Sequence, residues 1–185
     1  MVNVKLYIEG GGPGGARATE FRQGWQAFFA RCGLQRLPSV VRGESRERTW
    51  DRFRTAVEHP EDGEVAVLVV DSETAVAAGH SVWQHLAREG WERPAGVGGE
   101  QVFLMVQTME TWLLAGLEAE SPWPDLERVE KDKILLALKK APSNRYVKGG
   151  ECFRLLGKTD AAKVELKCAS AKRLLDGLRE LLGIL

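Results

Sequence analysis

Three carboxylates occupy positions from which a chain can use them together. Glu9 directly follows Val2-Asn3-Val4-Lys5-Leu6-Tyr7-Ile8, and Asp71 and Glu73 directly follow the apolar run Val65 to Val70. Each stretch reads as a β-strand, and in open α/β sheets ligands bind at the carboxyl ends of the strands. Strands one and three of such a sheet can lie near one another, which would bring Glu9 to the Asp-x-Glu pair. Carboxylates gathered that closely repel, and a protein keeps them together when a hard divalent cation neutralises them. Magnesium or manganese held by Glu9, Asp71 and Glu73 would activate water and screen the charge of a scissile phosphate. Glu110, just past a further apolar stretch, is a fourth candidate ligand. The competing reading of these acids is plain: carboxylates at strand ends also cap helices or face solvent.

Basic residues supply the complementary chemistry. Arg42, Arg46 and Arg48 carry forked donors suited to phosphate, although such a run also reads as a solvated helix face. Lys148 joins them as a candidate nucleic-acid contact in a C-terminal third that also holds Lys139, Lys140, Arg145, Lys158, Lys163 and Lys167. Gly10, Gly12 and Gly15 fit a dinucleotide-binding turn between a strand and a helix. Against that reading, Glu9 points a negative charge toward a pyrophosphate, and the second strand ends in Arg42 rather than a ribose-binding acid. Asp71 as a phosphatase-type nucleophile needs a first-strand position and a partner lysine that the sequence does not supply. His80 and His85 miss the i, i+4 metal spacing and read as surface or packing residues. The six tryptophans read as core aromatics, with Trp91 and Trp123 in loops.

The elements that must position these groups follow from periodicity. Glu64 to Val70 does not alternate, so it reads as a strand buried on both faces and flanked by others, with Val65, Ala66, Val67, Leu68, Val69 and Val70 all inside. Phe21, Trp25, Phe28 and Phe29 predict a helix over 16–31. Leu37 to Val41 is a short second strand. Trp50, Phe53 and Val57 form the inner stripe of a helix over 45–58, whose outer face carries Arg46, Arg48, Arg52 and Arg54. The order β-α-β-α-β with connections of this length predicts a parallel sheet. A short helix around Val82, Trp83 and Leu86, a turn-rich loop, a fourth strand over 101–106 and a helix over 109–117 follow. Beyond Ser121-Pro122-Trp123-Pro124, helices are expected over 126–140, 150–156 and 169–182.

Composition sets the outer limits. A chain of 185 residues reads as one α/β domain over 1–117 with a helical C-terminal extension over 118–185 packed on it. The 26 basic and 26 acidic residues cancel, so a nucleic-acid backbone would be held by local patches or a bridging metal. Three cysteines without a close pair argue against a disulfide framework or a cysteine-based zinc site, and fit a reducing cytoplasm. The sequence shows neither a secretory leader nor a run of membrane-spanning length. The oligomeric state, a homo-oligomer included, is left open.

Ile8-Glu9-Gly10-Gly11 and Leu68-Val69-Val70-Asp71-Ser72-Glu73 resemble the Toprim domain of topoisomerases, primases and nucleases of the OLD (overcoming lysogenisation defect) type. Further segments extend the likeness along the chain: Lys5 to Gly10, Val69 to Glu73, Leu104 to Trp112, Tyr146 to Gly149, and Phe153 to Leu156. Together they are similar to a bacterial domain family of unknown function, small Toprim-like proteins often encoded beside an ATPase, as in phage-defence modules. Two positions depart from the pattern: Glu73 stands where Toprim domains usually have aspartate, and Gly116 where that family tends to have aspartate. The resemblance implies a Toprim-like Rossmannoid fold and a magnesium-dependent nuclease or phosphoryl-transfer subunit acting on DNA or RNA. In the roles it implies, Asp71 and Glu73 hold the metal, Glu9 is a further ligand or general acid/base, and Glu110 completes the cluster. The alternative in another class is a Toprim-shaped docking or regulatory module for an ATPase, which keeps the acids without turnover.

Overall fold

The computed structural model describes residues 2–12, 17–117, 123–141, 146 and 150–184. Lys148 and Arg145 lie outside the described residues, as does Gly15 of the glycine turn. Four strands, β1 (Asn3–Gly11), β2 (Ser39–Glu44), β3 (Glu64–Asp71) and β4 (Val102–Met105), form one sheet in the order β2-β1-β3-β4. All pairings are parallel, and Ile8 stands opposite Val69. The chain crosses from β1 to β2 on one side and then returns to add β3 on the other. β1 and β3 therefore flank the point where the winding reverses, the place where open parallel sheets form a crevice at their carboxyl ends.

The two faces of the sheet bury different layers. Leu6, Ile8, Val67, Val69, Phe103 and Met105 face a large core built with α1 (Ala18–Arg31) and the helices of the C-terminal half. Tyr7, Ala66, Leu68, Val70 and Leu104 face a smaller one built with Trp50 and Phe53 of α2 (Arg46–Glu58), Leu86 of α3 (Val82–Leu86) and Trp91. Burying both faces is what removes the polar alternation from β3. The strand's amino end differs from expectation: Val65 is half-buried, because β4 pairs with β3 only from Leu68 onward.

Local chemistry sets the helix starts. Ser45 caps α2 by accepting from Arg48 N at 3.3 Å. Ser81 and Gln84 close a capping box on α3. α4 (Met109–Gly116) is buried along its whole length, with Trp112, Leu113, Leu114 and Ala115 packed in the core and Glu110 and Thr111 as polar residues buried among them. It lies against α5 (Lys131–Lys140) and α7 (Ala161–Lys167), while α6 (Gly150–Leu156) packs on α1 and α8 (Ala169–Leu181) reaches β4. Gly24 is the point of closest approach between α1 and α6: a Cβ there would sit 2.3 Å from the Phe153 carbonyl oxygen.

The C-terminal half corrects the sequence reading in two places. The helix expected over 126–140 is split into a 3-10 turn, Leu126–Arg128, and α5. Gln107 is the cause: its Nε2 donates to the carbonyl oxygen of Val129 at 2.7 Å and holds that residue in extended backbone. α7 was not expected, since its buried positions are only Ala161 and Val164; Asp160 starts it by accepting from Lys163 N at 3.2 Å. Gly116 has no room for the aspartate of the resembling family, because a Cβ there would lie 2.0 Å from Thr159 Cγ2.

Candidate metal centre

Glu9 lies near the carboxyl end of β1, and Asp71 ends β3 beside it, so the parallel register alone brings their side chains to one end of the sheet. Glu73 follows after a sharp change of backbone direction, with φ at 60°. One oxygen from each of Glu9, Asp71 and Glu73 lies within 4.8 Å of the others. They line a cleft of about 470 Å³ together with Gly10, Gly11, Gly12, Glu44, Glu110 and Lys131. Glu44, at the end of β2, is the other non-glycine residue with positive φ among the described residues, at 73°. Left-handed backbone is costly for side-chain-bearing residues and concentrates at functional sites. Here both instances are carboxylates on one cleft.

The glycine turn keeps the cleft open. Gly10 and Gly11 have φ of 120° and 86°, and a Cβ on Gly11 would meet Arg42 Cδ at 2.5 Å. Behind the acids stands Arg46, which the sequence places on the solvent face of α2. It turns inward instead, with its side chain only 15% exposed. Its Nη1 donates to Glu9 Oε2 at 3.0 Å and to the Asp71 carbonyl oxygen, while Nε and Nη2 bind Glu89 at 2.6 and 2.7 Å. Its guanidinium carbon sits 4.9 Å above the Trp91 ring, which stacks on Trp50 at 4.8 Å. Trp91 is thus a buried wall of the site's support rather than an exposed loop aromatic. Arg42 and Arg48 are likewise engaged, both with Glu44.

Asp71 accepts from Met109 N at 2.9 Å at the start of α4, and Asp71 N donates to Glu9 Oε2 at 3.2 Å. Burial pushes the Asp71 carboxyl well above the usual range, helped by the negative charges of Glu9, Glu110 and Glu73. Burial also raises Glu9, against the pull of Arg46. Both shifts come first from loss of water; at Asp71 neighbouring carboxylates add to it, and at Glu9 the pull of Arg46 does not cancel it. Lys131, unmarked in the sequence reading, enters the cleft from α5 and pairs with Glu73 at 2.7 Å. Burial works against its ammonium, but Glu73, Asp71 and Glu110 outweigh that and raise its pKa.

Glu110 lines the cleft without belonging to the group of three oxygens, and the Tyr146 hydroxyl donates to it at 2.5 Å. The Tyr146 bond occupies Oε1, so as a fourth ligand Glu110 would use Oε2. His80 is exposed, and His85 is buried in α3. No disulfide joins Cys32, Cys152 and Cys168. Among the described residues no helix is long and apolar enough to cross a membrane.

Glu9, Asp71 and Glu73 fit a hard divalent cation on their own chemistry. They offer only oxygen donors, their negative charge exceeds what Arg46 and Lys131 supply, and Asp71 and Glu9 are raised in the direction that a bound cation would reverse. Compared with protein-family models, with curated proteins and with solved structures, the chain gives no match in any of the three.

Proposed function

We propose that this chain is a magnesium- or manganese-dependent nuclease or phosphoryl-transfer subunit acting on DNA or RNA, with Glu9, Asp71 and Glu73 as the metal-holding residues. The observation that carries this reading is the convergence of those three carboxylates at the sheet's switch point. A bound divalent cation would supply Lewis-acid stabilisation of a phosphate and an activated water. The chain's own residues do the rest. Arg46 and Asp71 N orient Glu9, Met109 N orients Asp71, and Lys131 of α5 pairs with Glu73. In this reading Glu9 would act as a further ligand or as the general acid/base.

A second reading has an observation behind it. Arg42, Arg46 and Arg48 are all paired with carboxylates of the protein itself; Arg42 and Arg46 are drawn into the protein, with side chains 12% and 15% exposed, and Arg48 stays at the surface at 63%. That favours a Toprim-shaped docking or regulatory module for an ATPase. A homo-oligomer and a cytoplasmic setting are compatible with both.

The deciding experiment is cleavage of single- and double-stranded DNA and RNA by the purified chain, with magnesium, with manganese and with chelator. Metal-dependent cleavage that disappears in Asp71→Asn and Glu9→Gln supports the nuclease. Magnesium-induced thermal stabilisation without cleavage of any polynucleotide supports the docking module. Absence of any metal response overturns the metal centre.

A further inference from the structure

The turn that presents Asp71 and Glu73 is held from behind by a residue that the metal centre does not otherwise use. With φ at 60°, Glu73 adopts a conformation that is unfavourable for a non-glycine residue. Such a residue persists only where its surroundings over-determine it. Five hydrogen bonds do so here. Ser72 N donates to Met105 O at 2.9 Å and Glu73 N to Gln107 O at 2.9 Å. Within the turn, Ser72 Oγ donates to Thr74 O at 2.6 Å, and Thr74 N donates to the Ser72 carbonyl oxygen at 2.7 Å. The fifth comes from outside the turn, from His85, whose Nε2 lies 2.9 Å from that same carbonyl oxygen.

His85 is 2% exposed, and its Nδ1 has no hydrogen-bond partner. A carbonyl oxygen can only accept, so Nε2 carries the proton and Nδ1 is left as a buried, bare acceptor. Leaving such an atom unsatisfied is unfavourable, a penalty that an apolar side chain at the same position avoids. Packing therefore does not account for a histidine here. The single bond it makes goes to the carbonyl between the two acids, and the capping box of Ser81 and Gln84 fixes the helix from which it reaches.

We propose that His85 is a positioning residue of the carboxylate site: its Nε2–H bond to the Ser72 carbonyl locks the turn that directs Glu73 back toward Glu9 and Asp71. The site is then formed before a cation arrives, and binding does not have to supply the cost of bending the turn. The role in cation binding rests on the metal reading given under the proposed function; the lock on the turn stands on the geometry alone.

Two substitutions in the full chain separate the donor from the bulk. In His85→Gln the amide nitrogen reaches roughly where Nε2 stood, whereas in His85→Asn it falls short; both remain polar and uncharged. His85→Leu, which carries no donor, replaces the asparagine variant should that one not fold, and either one leaves the Ser72 carbonyl without a donor from this position. Two readouts are taken: hydrogen exchange of the Ser72 and Glu73 amides without metal, and manganese affinity of the folded protein by electron paramagnetic resonance. The donor-free variant should exchange faster at those two amides, relative to β3 core amides, and bind manganese about tenfold more weakly, as loss of an outer partner does at metal sites. The glutamine variant should match the wild type in both. Unchanged exchange in the donor-free variant overturns the lock, and faster exchange with undiminished affinity overturns the positioning role. A wild-type chain that binds no manganese overturns the metal reading and the positioning role with it, and is told apart because the exchange contrast between the variants persists.

Discussion

Trp25, Phe28 and Phe29 of α1 meet Trp112 of α4 in a cluster of ring contacts at 5.5 to 6.1 Å, all four fully buried. A short distance along the same sheet, Glu9, Asp71 and Glu73 form a cluster of a different kind. Each ring gains by being where it is, since area leaves water and edge-to-face and stacked pairs add to that, against the loss at Trp25 Nε1, which is buried without a hydrogen-bond partner. Each acid loses by being where it is. Asp71 is deprived of water and surrounded by like charge, and Glu73 is held at positive φ. The aromatic cluster is explained by folding alone, whereas the acid cluster is a cost that folding carries for something else. Stability and cation response should therefore separate cleanly between the two regions.

The largest effect on stability should come from the aromatic side. Trp112→Ala should cost about 3–5 kcal/mol of unfolding free energy in chemical denaturation. The magnesium-induced rise in melting temperature of the remaining folded protein should be retained. If the rise vanished as well, the two regions would be one cooperative unit and the contrast would fail.

Next in size is the opposite case. Asp71→Asn keeps an oxygen for the Met109 N–H, so metal-free stability should stay level or rise by up to about 2 kcal/mol. Magnesium should no longer raise its melting temperature, since a ligand stabilises only a state it binds. Strong destabilisation of the metal-free protein with an intact magnesium response would make Asp71 a structural cap.

The pH dependence sharpens this. The folded carboxyl of Asp71 lies above its ordinary value of 3.8 and that of Glu9 above 4.5. Between those ordinary values and the raised folded ones, the native state holds more protons than the unfolded state. Its stability contribution is full at low pH and is lost as pH rises through the folded values. Subtracting the Asp71→Asn stability profile from that of the wild type, without metal, should leave a difference that falls with increasing pH. A difference that rises with pH would mean that Asp71 is stabilised as a carboxylate.

The smallest effect belongs to Lys131. Its pair with Glu73 is partly exposed, with side chains 35% and 43% accessible, so Lys131→Met should cost less than about 1 kcal/mol. Magnesium should bind this variant more tightly, because the ammonium no longer competes for Glu73; titration calorimetry reads this directly. Weaker binding would make Lys131 a support of the site rather than its internal counter-ion.

Much of the frame was legible in the amino-acid order. The unbroken apolar run of β3 announced a strand covered on both faces, and the aromatic spacing of α1 and the inner stripe of α2 marked two helices. Parallel order followed from the lengths between strands, and with it the expectation that Glu9 and Asp71 end side by side. Such features are read from neighbours in sequence because periodicity and capping are local.

What the order of residues left undecided were directions and distant partners. Arg46 lies one position past a capping serine, where helical periodicity gives it a face but not the reach toward Glu9, Asp71 and Glu89 that folds it inward. Lys131 and Tyr146 come from the far half of the chain and arrive at Glu73 and Glu110 only through the packing of α5 and its neighbours on α4. Gln107 cuts an expected helix by taking the Val129 carbonyl from 22 residues away. His85 reaches the Ser72 carbonyl across 13 residues, a bond with no periodic signature. The sequence determined the strands, most of the helices and the three acids. The tertiary structure decided which side chains face them, because a hydrogen bond between distant residues depends on geometry to within a few tenths of an ångström, and a periodic pattern carries none of it.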